Sequence, residues 1–207
     1  MAAEADAVLR LPYRPGSFLV EGEELVSVWP PEAADYVERN LKRAQVTGPH
    51  RTLDQDVAFG IDQLVEIAVR ALSPAVNDTF TAITCVDWLG ESLCNLAQAW
   101  TPRQVHRDRS GTIRVISDQV SFEALVEWAF DKIRQASLGM PAVMIRQLEA
   151  LTTITGHTTD IAHARVLLDQ ATMIWRAGAE TLVEESARAR MQRRYTALVD
   201  VFNRLSH

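Results

Sequence analysis

The stretch Ser73-Pro74-Ala75-Val76-Asn77-Asp78, called the corner below, separates two long apolar segments and decides how the chain folds. Because the residue before a proline is pushed out of the helical region, Pro74 ends the first segment as a helix. A side-chain oxygen of Asp78 can cap the second segment as a helix that begins at Thr79. The sequence therefore predicts two helices, packed side by side as the buried hub and joined by a rigid turn.

The segment before the corner has the features of a helix start. Thr52-Leu53-Asp54-Gln55 fits a capping box, in which a hydroxyl is followed three residues later by Gln. Apolar residues then recur at three- and four-residue steps as far as Leu72, while charge is confined to Asp62, Glu66 and Arg70. We expect this helix to be packed on most of its sides.

The segment after the corner carries an apolar face and both cysteines. The residues predicted to face inward are Ile83, Val86, Leu89, Leu93, Leu96 and Trp100. Cys85 and Cys94 are nine residues apart on one helix, so they lie on opposite faces and cannot form a disulfide with each other. They are expected to be free, buried thiols, which indicates a cytoplasmic compartment.

Several short motifs around the corner resemble a family of predicted bacterial membrane proteins, domain of unknown function 2254. They are Arg51-Thr52-Leu53, Asp56, Phe59-Gly60, Leu64-Val65, Ile67-Ala68, Arg70-Ala71-Leu72-Ser73-Pro74 and Asn77-Asp78 followed by Thr81-Ala82. The resemblance extends to Arg14-Pro15-Gly16 and to the helix near residue 125. The family pattern has proline after Asn-Asp, where this chain has Thr79. The resemblance implies a soluble portion that normally follows membrane-spanning helices, and it implies no known activity.

Bulk properties agree with that expectation. The chain of 207 residues is one large domain or a domain with an appendage, and 47% hydrophobic residues can build a substantial core. Its apolar runs fall short of the roughly 18 residues that a membrane span needs. We therefore expect this segment to be soluble and cytoplasmic, and to meet the membrane through a missing or upstream transmembrane region. The net charge of −6 argues against a general nucleic-acid binder.

The patterns predict an α+β fold that is mostly α: a multi-helix bundle with a small N-terminal β-sheet and one β-hairpin. Residues 1–30 are expected to form a small β appendage, and residues 31–207 a helical core domain with a hairpin near 104–116. The predicted strands are 8–11, 17–20, 25–29 and the hairpin pair 104–108 and 112–116. The remaining predicted helices are 32–45, 121–138, 142–155, 160–182 and 184–205, of which the last two could be continuous.

The corner is also where a ligand site is expected. The candidate corner site consists of Arg51, Arg70, Ser73, Asn77, Asp78, Thr79 and Thr81. In one interpretation these polar groups satisfy one another beside the apolar helices, since buried polar groups need partners. In the other they form a small polar pocket, where the helix start at Thr79 presents free amides to an anion. Ser73 lacks a Gly-x-Ser-x-Gly elbow, so no catalytic residue is assigned.

Two further features of the sequence are candidate sites. His157, Asp160 and His163 are weak candidates for a metal, because the two histidines are six residues apart rather than on one helix face. A capping or surface role is the more ordinary interpretation. The tail is mildly basic, and a membrane-tethered domain could rest Arg188, Arg190, Arg193 and Arg194 on anionic lipid. The alternative is a solvated terminal helix.

No cofactor is predicted. The Pro-Gly-x-Phe spacing after residue 14 resembles half of a biotinyl or lipoyl carrier, but no lysine occurs between Val8 and Pro30 to carry one. The leading functional hypothesis is a non-catalytic domain, regulatory, assembly or ligand-sensing, of a membrane-associated protein, in a chain that is expected to form a homo-oligomer. The alternative is an enzyme acting on a small anionic metabolite at the turn Ser73–Thr81.

Overall fold

The computed structural model describes residues 1–44, 48, 50–53, 56–99 and 101–206, with only the backbone at Lys42 and Ala44. The sequence predictions that concern Gln45, Pro49, Asp54, Gln55 and Trp100 lie outside the described residues. Within the described residues the fold is α+β and mostly α, as the sequence predicts.

In the part of the chain that the structure describes, four short strands form one mixed sheet. They are β1 (Val8–Leu11), β2 (Ser27–Trp29), β3 (Val105–Arg107) and β4 (Ile113–Ser117), in the order β2-β1-β4-β3. Strand β1 pairs antiparallel with β2 and parallel with β4, and β3 and β4 form the predicted hairpin. The hairpin and the N-terminal strands are thus parts of the same sheet. The predicted strand at residues 17–20 is wrong, since that segment is irregular.

One carboxylate, that of Asp108, holds the turn of the β3–β4 hairpin together. Asp108 accepts hydrogen bonds from the backbone of Ser110 (2.9 Å) and Thr112 (3.1 Å) and pairs with Arg114 Nε (2.7 Å). Arg114 also pairs with Asp6 at 2.8 Å, which joins the hairpin to the chain before β1. The hydrogen bonds from the Ser110 hydroxyl and from Arg114 hold the pKa of Asp108 well below its usual range.

The stability of the sheet should therefore depend on Asp108 in acid. Since the pKa of Asp108 is lower in the folded state, its contribution is complete above its ordinary pKa of about 3.9 and is lost as the pH falls below that value. We expect the urea midpoint of the wild type to drop more between pH 5 and pH 3 than that of Asp108→Asn. Equal drops in the two proteins would contradict this role of Asp108.

The chain divides into two compact units, which are described separately. The first unit contains Met1–Phe59 and Thr101–Val120, that is, the sheet and helix α1 (Ala34–Ala44). Its core consists of Ala7, Leu9, Ala33 and Val37. The second unit contains Gly60–Trp100 and Ser121–His207. The hairpin groups with the first unit because β4 is hydrogen-bonded to β1, whereas the sequence patterns had joined it to the helical core.

The second unit is a bundle of long helices. They are the greater part of α2 (Val57–Ala71), then α3 (Thr79–Ala99), α4 (Phe122–Ala136), α5 (Pro141–His157), α6 (Ile161–Thr181) and α7 (Glu185–Leu205). Helix α5 packs against α3, α4, α6 and α7 and buries side chains on more than one face. The central helix is therefore α5. The prediction that the two helices beside the corner pack side by side as the buried hub is wrong, because among the described residues α3 packs mainly on α5 and makes no comparable contact with α2.

Helix α2 is buried along one stripe only. Ala58, Ile61, Val65 and Ala68 point away from solvent at three- and four-residue steps, while Ile67 is 49% exposed. The expectation of a helix packed on most sides is therefore wrong, because apolar composition alone does not fix how many faces are covered. In α3 the inward positions Val86, Leu89 and Leu93 are confirmed as buried, and Ile83 and Leu96 are only partly buried.

Candidate functional site

The corner is a tight, mostly exposed turn whose backbone groups form hydrogen bonds with neighbouring backbone groups. The amides of Val76 and Asn77 both donate to the carbonyl of Ser73, at 3.0 and 2.9 Å. The amide of Asp78 donates to the carbonyl of Ala71 at 2.8 Å, which ties the start of α3 to the end of α2. Asn77 adopts a left-handed φ of +49°, a conformation that asparagine tolerates better than most residues. The turn is thus fixed by local hydrogen bonds.

Asp78 caps α3 as predicted. Its side chain accepts hydrogen bonds from the Thr81 amide (3.1 Å) and the Thr81 hydroxyl (2.6 Å), and Thr79 is the first helical residue. These two bonds lower the pKa of Asp78, the one from the Thr81 hydroxyl most, and they stabilise the first turn of the helix. Because a carboxylate already sits on the amides of this helix start, a second anion there would meet like charge. The geometry gives no support to an anion pocket at Thr79.

The two arginines of the candidate corner site have partners elsewhere. Arg70 pairs with Glu66 one turn earlier on α2, at 2.6 Å, with both side chains largely in solvent. Arg51 belongs to the first unit, where its Nε lies 2.7 Å from Asp56 Oδ2. The structure therefore brings Asp78, Thr79 and Thr81 together, and it places Arg51 in the unit that contains the sheet.

Asp56 is the centre of a second cluster, which the sequence analysis did not propose as a site. Its other carboxylate oxygen accepts from the Phe59 amide at 3.1 Å, so Asp56 caps α2. The predicted cap at Thr52 is therefore wrong. The Arg51 guanidinium lies 5.1 Å from the centre of the Phe59 ring, a cation–π distance. Gly16 lies so close that a Cβ there would be 1.8 Å from Asp56 Oδ2.

This Asp56 cluster unites motifs that are far apart in the sequence. Gly16 belongs to Arg14-Pro15-Gly16, and Arg51, Asp56 and Phe59 belong to the motifs before the corner. Both stretches are among the motifs that resemble the family. The resemblance was therefore a signal that could have pointed to this cluster. A loop and a helix start are held together here by one buried carboxylate, whose side chain is 7% exposed.

The three candidate metal ligands have other roles. His157 Nδ1 lies 2.8 Å from the carbonyl of Thr153, and Asp160 caps α6 by accepting from the Ala162 amide at 2.8 Å. The ring of His163 stacks on Phe122 with 4.1 Å between the ring centres. In the part of the chain that the structure describes, no group of three or more His, Cys, Asp or Glu side chains could hold a metal ion.

The surroundings of the two thiols disfavour the thiolate form. Cys85 is buried and Cys94 half-buried, and neither forms a disulfide. Burial raises the pKa of both thiols, and the charge of Glu91 raises that of Cys94 further. Since the thiolate is the reactive form, both side chains act as small apolar groups in the packing of α3.

The arginines of α7 do not form one basic stripe. Arg188 donates to the carbonyl of Leu182 at 3.1 Å, and Arg194 Nε pairs with Glu149 of α5 at 2.8 Å. Arg188 and Arg193 are five residues apart and therefore about 140° apart around the helix. A lipid contact by all four arginines remains a prediction, and the internal partners of Arg188 and Arg194 count against it.

The described residues form a mostly helical α+β domain. Residues 1–153 match the sequence profile of the family described as "Predicted membrane protein (DUF2254)". The chain belongs to this family. Within the described residues, every helix is too short or too polar to cross a bilayer. Helices α6 and α7 lie beyond the matched region.

Curated relatives of this chain are longer. Uncharacterized proteins of Mycobacterium bovis and of two strains of Mycobacterium tuberculosis are each 33% identical to it over 156 residues, which is 75% of this chain and 30% of the relative. The match thus spans less than a third of the length of these relatives. No solved structure is significantly similar to the chain.

Proposed function

We propose that this chain is a non-catalytic domain of a membrane-associated protein, with a regulatory, assembly or ligand-sensing role. The observation that carries the proposal is that three polar side chains of the candidate corner site have partners within the fold. Asp78 caps α3, Thr81 donates to Asp78, and Arg70 pairs with Glu66. A catalytic site instead needs a nucleophile or acid whose base or oxyanion donors converge on one point.

Membership of a family of predicted membrane proteins supports the association with a membrane. The length of the relatives supports a larger protein in which this fold is one part. We place the domain in the aqueous phase on the cytoplasmic side. Support comes from α7, whose outward positions Arg190, Arg193 and Asp200 are charged, and from the two free thiols, which are typical of a reducing compartment.

The proposal predicts that Ser73 has no catalytic function. We expect the full chain to cleave p-nitrophenyl acetate and p-nitrophenyl phosphate no faster than Ser73→Ala or Ser92→Ala, measured by absorbance under identical conditions. Ser92 is the matched control, because its hydroxyl donates to the carbonyl of Trp88 at 2.8 Å on the same helix α3 that Ser73 precedes.

Turnover that survives in Ser92→Ala and disappears in Ser73→Ala would contradict the proposal and favour an enzyme at the turn Ser73–Thr81. Native mass spectrometry of the purified wild type tests whether the domain has a ligand-sensing role. A small molecule that co-purifies, and that is absent from Asn77→Ala preparations, would assign the sensing role to the corner.

A further inference from the structure

Two buried polar atoms at the contact between α4 and α6 have no hydrogen-bond partner among the residues that the structure describes. They are Arg134 Nε of α4 and Gln170 Oε1 of α6. Gln147 Oε1 and His163 Nδ1 are unpaired as well, but of these four side chains only Arg134 and Gln170 bond to a common residue. Because an unpaired buried donor or acceptor costs free energy, such a pair of atoms needs an explanation.

The common residue is Asp131, which fixes both side chains. Gln170 Nε2 donates to Asp131 Oδ1 at 3.1 Å, and Arg134 Nη2 donates to the same oxygen at 3.2 Å. A charged carboxylate can only accept, so the nitrogen of the Gln170 amide must face it. Exchanging the two ends of the amide would set its oxygen against a negative charge. The unpaired Gln170 Oε1 is therefore a consequence of the Asp131 contact, and Gln170 is only 2% exposed.

The charges around the two atoms decide what kind of molecule can pair with both. Arg134 Nε is a donor on a positive guanidinium, which disfavours a cation beside it. Gln170 Oε1 is an acceptor near a negative carboxylate, which disfavours an anion. The partner must therefore be neutral and must both accept and donate a hydrogen bond. Because α4 and α6 are already in direct contact through Asp131 and Gln170, the smallest molecule of this kind fits best, and that molecule is water.

We propose that the α4–α6 contact is a binding site for one ordered water molecule. The water accepts from Arg134 Nε, donates one proton to Gln170 Oε1 and donates the other to Asp131 Oδ2. Both donors that reach Asp131 use Oδ1, so Oδ2 is able to accept this third bond. A buried water typically makes about three hydrogen bonds, which is the number that these atoms supply. Asp131 is 37% exposed, so the path from the site to solvent is short.

The site joins two parts of the chain that differ in their relation to the family. Asp131 and Arg134 lie within the region that matches the family profile, and Gln170 lies beyond it. The water thus adds a polar bridge between the matched region and the hairpin of α6 and α7. The bridge involves only α4 and α6, so it stands or falls independently of the proposed function.

A crystal structure of the full chain, at a resolution that shows ordered waters, tests the site directly. We expect a density peak within about 3 Å of both Arg134 Nε and Gln170 Oε1, in hydrogen-bonding geometry. The proposal is overturned if Arg134 Nε instead bonds directly to Gln170 Oε1 or to Asp131 Oδ2. It is also overturned if the peak is absent while other buried waters are visible in the same map.

Nuclear magnetic resonance tests the same site in solution. The side-chain amide protons of Gln170 should give cross-peaks with water that have opposite signs in NOESY and ROESY spectra, which is the signature of a long-lived bound water. Gln192 is the comparison within the same molecule, because its amide is exposed and donates to Thr196 at 3.3 Å. Its contacts with water should not show this signature. A wild type without the signal at Gln170 overturns the proposal.

Two arginine variants then identify the donor. Arg134→Met removes Nε and should abolish the signal, while the Gln170 amide keeps its bond to Asp131. Arg165→Met is the matched control, because it makes the same change at a 65% exposed arginine that pairs with Asp169 on α6. This control should keep the signal, and circular dichroism melting verifies that both variants are folded. A folded Arg134→Met variant that keeps the signal, or its loss in both variants, contradicts the assignment of Arg134 as the donor and overturns the proposed site.

Discussion

Gly16→Ala is expected to destabilise the first unit by about 3 kcal/mol, of which about 1 kcal/mol is the left-handed conformation and about 2 kcal/mol the charge-assisted hydrogen bonds that must shift. Gly16 has a φ of +83°, and an added Cβ would stand 1.8 Å from Asp56 Oδ2 and 2.8 Å from Arg51 Nε. The carboxylate must therefore move away from its cation and from the Phe59 amide. Hydrogen exchange of peptides that cover β1 and β4 measures the change.

The matched control is Gly22→Ala. Gly22 has a similar φ of +92°, but nothing lies within 4 Å of the Cβ position. It should cost about 1 kcal/mol, the price of a left-handed conformation for a residue with a side chain. The difference between the two variants isolates the contact with Asp56 from backbone strain. If both variants exchange at the same rate, the close approach of Gly16 to Asp56 does not stabilise the unit.

The reason this cluster escaped sequence reasoning is its distance along the chain. Local patterns predicted the corner, the cap at Asp78 and the β3–β4 hairpin, because each is decided by residues a few positions apart. The contact of Gly16 with Asp56 spans 40 residues, and the parallel pairing of Leu9 with Val115 spans more than 100. Neither contact has a local signature. A glycine in a turn and an alternating strand have the same sequence pattern whichever residues they contact in the folded chain.

The sequence prediction of the centre of the helical unit is wrong for a different reason. Apolar composition favoured α2, yet composition counts apolar residues without saying which face they occupy. Val57 belongs to the apolar face of α2 in the sequence and Ile67 widens it, yet these side chains are 44% and 49% exposed. In α5, by contrast, Val143, Met144 and Ile145 are consecutive and all buried. Consecutive apolar residues cannot share one face of a helix, so this run was a usable signal that α5 is covered on several sides.

The candidate corner site shows how far the partners of polar side chains can be predicted from the sequence. The sequence places Asp78, Thr79 and Thr81 within one turn, and the structure confirms that Asp78 bonds to Thr81. Whether Arg51 and Arg70 join them is a question of tertiary structure. Arginine has a long side chain that finds a carboxylate nearby, here Asp56 and Glu66, and the sequence offers several carboxylates within reach of each.

Leu148→Ala in α5 is expected to lower the free energy of unfolding of the helical unit by about 3 kcal/mol or more. Leu148 is fully buried in the helix that contacts α3, α4, α6 and α7, so its removal leaves a cavity that neighbours on several sides would have to close. The measurement is the urea midpoint followed by far-ultraviolet circular dichroism. If the slope of the unfolding free energy against urea concentration is the same in the variant and the wild type, the substitution has changed the stability and not the unfolded state.

Leu64→Ala in α2 is the matched control, because it makes the same chemical change at a half-buried position of a helix. Helix propensity then changes equally in the two variants, and the difference reports burial alone. We expect Leu64→Ala to cost about 1 kcal/mol, since a partly exposed leucine forfeits less transfer energy and water fills the space it leaves. Equal costs at the two positions would return α2 to the centre of the unit and contradict the arrangement around α5.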